Sequence, residues 1–110
     1  MQELIWPRQE QKETVPEFRL TPRALRDLDN IADYLEIEAS PRVAMRVEDA
    51  LFNASDELVR HKALGHRRED VRQQTLRFYV VFNYVIAFRR EPRVVIVRVI
   101  HGAQNIAKLL

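Results

Sequence analysis

Residues 76–100, LRFYVVFNYVIAFRREPRVVIVRVI, decide how this chain folds. They hold three apolar segments, 76–82, 84–88 and 94–100, rich in Val, Ile, Phe and Tyr. Such side chains fit a pleated, half-buried surface, so each segment reads as a strand. Asn83 divides the first two, and Arg90-Glu91-Pro92-Arg93 divides the second from the third. Connections this short join antiparallel neighbours, which makes the stretch a three-stranded meander.

Upstream the period changes from two to 3.6. Thr21-Pro22 and Ser40-Pro41 are two helix starts of the same kind. A hydroxyl caps the first free N–H groups, and proline at the first helical position loses no hydrogen bond. After the first start, Leu25, Leu28, Ala32 and Leu35 recur on one face, with Asp27, Asp29, Asp33 and Glu36 mostly off that stripe. This helix is expected to end near Glu38-Ala39. After the second, Val43, Val47, Leu51, Ala54 and Leu58 share a face over about five turns. The connection between them is short, so the helices form an antiparallel hairpin. Phe18-Arg19-Leu20 reads as a short strand before the first helix, Gly65 as a turn, and 102–110 as a short C-terminal helix. The expected architecture is α+β, β-α-α-β-β-β-(α), with the helical hairpin packed on a small antiparallel sheet.

A chain of 110 residues makes one domain with one modest core. We place it at 17–110. Residues 1–16, ending at Pro16, are expected to be a flexible extension whose apolar knot is Leu4-Ile5-Trp6. The N-terminus lacks the basic start and apolar run of a signal peptide, and no apolar run approaches a membrane span. With no cysteine in the sequence, the expectation is a cytoplasmic protein without disulfides or thiolate chemistry.

Charge is unevenly distributed. Residues 1–59 carry 7 Lys/Arg against 13 Asp/Glu, a net −6, whereas residues 60–110 carry 11 against 3, a net +8. Arginine supplies nine of those eleven late cations. Its planar fork grips phosphate and carboxylate, so the basic half points to an anionic partner. Arg67, Arg68, Arg77 and Arg98 are the leading contact candidates, with His101 beside Gly102 at a strand end. Arg77 and Arg98 lie among apolar neighbours, so each must meet an anion or reach the rim. His61 and His66 have no carboxylate cluster around them, and two glycines cannot build a phosphate loop. No metal and no cofactor are expected. Arg77, Tyr79 and His101 are the groups from which a metal-independent nuclease would have to be assembled.

Several stretches resemble RelE/ParE toxins. Phe18-Arg19-Leu20-Thr21-Pro22-Arg23-Ala24, then Asp27-Leu28 and Ile31-Ala32-Asp33-Tyr34-Leu35, resemble the opening of that superfamily. Leu64-Gly65-His66-Arg67-Arg68-Glu69-Asp70 resembles the loop before its sheet, and Leu76-Arg77-Phe78 with Val97-Arg98-Val99-Ile100-His101-Gly102-Ala103 its sheet and exit. The resemblance implies the toxin of a type II toxin–antitoxin pair, often labelled a plasmid stabilisation protein. RelE-like members cut messenger RNA on the ribosome; ParE-like members poison DNA gyrase. RelE-like nucleases carry an Arg in the third strand where this chain has Val85, and a C-terminal Tyr where 103–107 hold no aromatic. The Gly-His-Arg-Arg loop and His-Gly-Ala exit look more like ParE, although Gln104-Asn105 replace the usual basic and acidic pair.

The resemblance therefore implies a gyrase-inhibiting toxin of the ParE branch, with Arg67, Arg68, Arg77, Arg98 and His101 as target or antitoxin contacts. The implied partner is an acidic antitoxin whose tail folds on binding, as an amphipathic helix in a groove between hairpin and sheet, to give a hetero-oligomer. Two alternatives stay open: a ribosome-dependent messenger RNA endoribonuclease using Arg77, Tyr79 and His101, and a non-toxic relic that only binds antitoxin.

Overall fold

The computed structural model describes residues 17–110. The expectation for residues 1–16 lies outside the described residues. The chain runs β1 (Arg19–Leu20), α1 (Pro22–Glu38), α2 (Pro41–Arg60), β2 (Arg77–Val81), β3 (Tyr84–Arg89), β4 (Val95–His101) and α3 (Ile106–Leu109). Both helix starts form as their sequences dictate. Thr21 Oγ1 accepts from the Ala24 N–H at 3.0 Å, and Ser40 Oγ accepts from the Val43 N–H at 3.1 Å.

The four strands lie in the order β1-β4-β3-β2. The meander is antiparallel, as its short connections require, but β1 adds to β4 in parallel, so the sheet is mixed rather than purely antiparallel. That pairing follows from α1 and α2, which carry the chain across one face before it returns. A bulge between Ala87 and Phe88 sets Arg98 opposite Ala87 and Ile96 opposite Phe88, with Val97 as the extra residue. It lets both Ile96 and Val99 join the core beneath the helices.

β3 is buried on both faces from Tyr84 to Phe88. Tyr84, Ile86 and Phe88 meet Leu28, Leu51, Phe52 and Leu58 of the hairpin. Val85 and Ala87 meet a second cluster built from Val71, Leu76, Phe78, Ile100 and Ile106. Between these facing surfaces the space is filled by the protein's own core, and a cleft of about 400 Å³ opens at its margin, where Val59 and Lys62 face Arg90, Pro92 and Arg93.

Asp27 corrects the helix reading. It is buried, not off the apolar stripe. β1 covers β4 only as far as Ile96, and α1 takes over the edge beyond that point. The Thr21 hydroxyl donates to the Val97 carbonyl at 2.8 Å, and an Asp27 carboxylate oxygen accepts the Val99 N–H at 2.9 Å. Two polar side chains thereby finish a strand edge that would otherwise bury unpaired backbone groups.

Candidate functional site

The basic loop before the sheet is tied to it at one point. His66 and Phe78 exchange both backbone hydrogen bonds, at 2.9 and 2.7 Å. Immediately before this bridge, Gly65 adopts φ +91, and a Cβ there would lie 2.6 Å from the buried Phe88 ring. Only glycine fits both the backbone and the space. The bridge fixes Arg67 and Arg68 beside the β2 edge.

Arg68 grips Asp70 with two hydrogen bonds, 3.0 and 2.9 Å, and its guanidinium sits 5.8 Å from the Phe78 ring centroid. The hydrogen bond holds the Asp70 carboxyl below its ordinary value and the Arg68 guanidinium above its own. Arg67 is exposed and makes no ion pair among the described residues. The two arginines therefore differ: one is paired with Asp70 above an aromatic ring, the other projects without an ion pair among the described residues.

Arg77 reaches the rim at the start of β2, half-buried and without an acidic partner among the described residues. Its charge, together with burial as the larger cause, lowers the Arg90 guanidinium from its usual value. Arg90 is a residue that sequence reasoning missed. Its guanidinium donates to the carbonyls of Leu58, His61 and Leu64 at 2.7, 3.1 and 2.8 Å, and it lies 5.2 Å from the Phe88 ring centroid. It thus supplies donors that the last turn of α2 lacks.

Arg98 finds its anion inside the protein. Nε donates to Asp27 Oδ2 at 2.8 Å and Nη2 to Oδ1 at 3.2 Å, while Nη1 donates to the Leu109 carbonyl at 3.1 Å. This side chain joins the hairpin to the C-terminal helix and is occupied in doing so.

His101, the last residue of β4, is exposed. Its Nδ1 accepts the Ala103 N–H at 3.1 Å, which leaves the neutral ring's proton on Nε2. Tyr84 meets it edge-on at 5.5 Å between centroids, and burial pushes the Tyr84 phenol above its ordinary value. Gln104 Oε1 accepts the His101 N–H, so the residue that departs from the family pattern closes the exit turn.

The structure brings Arg67 and Arg68 together but separates the nuclease candidates. Arg77 on β2 lies opposite Phe88 and His101 on β4 opposite Tyr84, so they are offset by about 14 Å along the strands and by two strand spacings across the sheet. Tyr79 packs against the core beneath the hairpin. Val85, in the strand position where RelE-like nucleases carry Arg, is buried in the second cluster. No group of three or more His, Cys, Asp or Glu side chains converges to hold a metal among the described residues. No helix among them is long and apolar enough to cross a membrane.

Comparisons with known proteins agree with this architecture. Residues 18–106 match the family model of the ParE toxin of the type II toxin–antitoxin system parDE. The chain is 30% identical over 87 residues to Toxin RelE3 of Caulobacter vibrioides, an alignment covering 78% of this chain and 94% of that one. Among solved structures, it resembles a chain of the chromosomal ParDE system from P. aeruginosa with a TM-score of 0.66 and 20% identity, over 78% of this chain and 95% of the other. The chain belongs to the ParE toxin family of type II toxin–antitoxin systems.

Proposed function

We propose that this toxin acts in the cytoplasm by binding DNA gyrase, and that a cognate acidic antitoxin neutralises it by folding onto the domain. The observation that carries the gyrase reading is Val85, whose apolar side chain is enclosed by Phe78, Ile100 and Ile106 where a message-cutting relative would place a cation. A gyrase poison needs no nucleophile; it has to favour one state of its target by binding that state more tightly. The exposed Arg67, the rim of Arg77 and the exposed end at His101 supply cationic and hydrogen-bonding contacts for such binding. Arg68 takes part through the ring-backed fork that it shares with Asp70, and Arg98 by positioning α3.

A second reading, ribosome-dependent cleavage of messenger RNA, draws support from the 30% identical relative that carries a RelE name. Induction in growing bacteria separates the two. Gyrase poisoning gives filamentous cells with a DNA-damage response and intact message. Message cut at ribosome-positioned sites would replace the gyrase reading with the nuclease one. Normal growth would mark a toxin that only binds antitoxin.

A further inference from the structure

The cleft at the margin of the core is both charged and apolar. Lys62, Arg90 and Arg93 line it together with Glu17 and Glu91. None of these five forms an ion pair among the described residues. Arg90 donates to three carbonyls, which hold it but do not neutralise it. Val59, Pro92 and Val94 supply the apolar part of the lining. The volume of about 400 Å³ lies within the range of about 300–1,000 Å³ typical of pockets that enclose a small molecule.

The chain itself leads into this place. Glu17 lines the cleft, and the next residue, Phe18, is buried with its ring 5.4 Å from that of Phe52 on α2. The Arg19 N–H donates to the Val94 carbonyl at 3.0 Å, and β1 runs parallel to β4. The chain therefore arrives at β1 from the side of the Arg90–Arg93 turn, which walls the cleft. The sequence before Glu17 carries groups that complement this lining. Trp6, the only tryptophan of the chain, belongs to the apolar knot Leu4-Ile5-Trp6, and Glu10 and Glu13 lie between it and Glu17. Ten residues, 7–16, connect Trp6 to Glu17 and span at most about 36 Å when extended, so their length allows Trp6 to return to the cleft. Loop-closure entropy grows only with the logarithm of length, so such a return costs little more than a shorter one.

We propose that this cleft is the docking site of the protein's own residues 4–16, with Trp6 as the anchor. The indole body would lie against Val59, Pro92 and Val94, and its N–H would donate to Glu17 or Glu91. Glu10 and Glu13 would face Lys62 and Arg93 at the rim. The tether gives the segment an effective concentration of about millimolar at the cleft, so weak contacts suffice. Docked, it would cover Lys62, Arg90 and Arg93 and withdraw these cations from any partner. The proposal does not depend on the gyrase reading.

The single tryptophan makes the test direct. In the purified full chain, Trp6 should emit at shorter wavelength than in urea, and acrylamide should quench it at least about threefold less. Val59→Asp puts a charge on the apolar wall and should restore the quenching. Lys62→Glu combined with Arg93→Glu alters two exposed side chains that the fold does not use, and should raise quenching at least about twofold. Location is read separately: Trp6→Ala should shift the amide signals of Val59, Lys62, Arg93 and Val94 and leave those of Val80 and His101 in place. Equal quenching in the native and unfolded chain, unchanged quenching in the folded variants, or shifts away from the cleft would overturn the proposal. So would protection that grows with protein concentration, which would place the segment on a second copy of this chain. None of these readouts involves gyrase or an antitoxin, so failure here leaves the functional reading intact.

Discussion

Asp27 and Arg98, 71 positions apart in sequence, form a bidentate ion pair whose carboxylate also accepts the Val99 N–H at 2.9 Å. One side chain thus closes the open edge of β4 and neutralises the arginine that anchors the C-terminal helix. Breaking a buried pair leaves a charge without a partner, which typically costs about 3–5 kcal/mol. Asp27→Ala is expected to lose that much in urea unfolding. Asp27→Leu combined with Arg98→Met should recover only part of it, because the Val99 N–H stays without its acceptor, and a double variant no better than the worse single one would show that the pair is not the unit.

Arg90 is expected to matter for stability rather than for target binding. Three charge-assisted hydrogen bonds end α2 through this one side chain. Arg90→Ala should cost about 2–4 kcal/mol. Arg90→Lys should recover little of it, because a single ammonium cannot span three carbonyls. Thermal unfolding of both variants checks this.

Gly65 and Phe82 occupy left-handed backbone with opposite consequences. Gly65→Ala adds strain and drives a Cβ into the Phe88 ring, so a loss of about 2–3 kcal/mol is expected. Phe82→Gly should leave stability equal or raise it by up to about 1 kcal/mol, since the ring is exposed. Chemical denaturation distinguishes the two; a destabilised Phe82→Gly would mean that the ring packs in solution.

Tyr84 sets an alkaline limit. Burial raises its phenol above the ordinary value of 10.0. A folded-state value above the unfolded one means that stability is fully present below pH 10 and falls as the pH rises through the raised value. Tyr84→Phe should flatten that alkaline loss, measured as the unfolding midpoint against pH. Equal slopes in the two proteins would assign the loss to another group.

Most of the scaffold was legible because it depends on local signals. Thr21-Pro22 and Ser40-Pro41 cap their helices as written, and the apolar face of α2 from Val43 to Leu58 turns inward. What was not legible depends on contacts distant in sequence. Asp27 reads as a surface acid until the parallel placement of β1 leaves Val99 without a partner. Arg98 reads as a free cation until Asp27 is beside it. Arg90 sits in a polar turn with no sign that three carbonyls await it. A bulge at Val97 also hides the alternation of β4. Of the site, the sequence shows which cations exist, and the fold decides which are spent: Arg90 and Arg98 inside, Arg68 on Asp70, Arg67 and Arg77 left to project.

The most direct test of the account is gyrase supercoiling and DNA cleavage with the purified protein. The account predicts lost supercoiling with accumulated double-strand breaks, and a weaker effect for folded Arg67→Ala. Unaffected gyrase at toxin concentrations that arrest growth would contradict it.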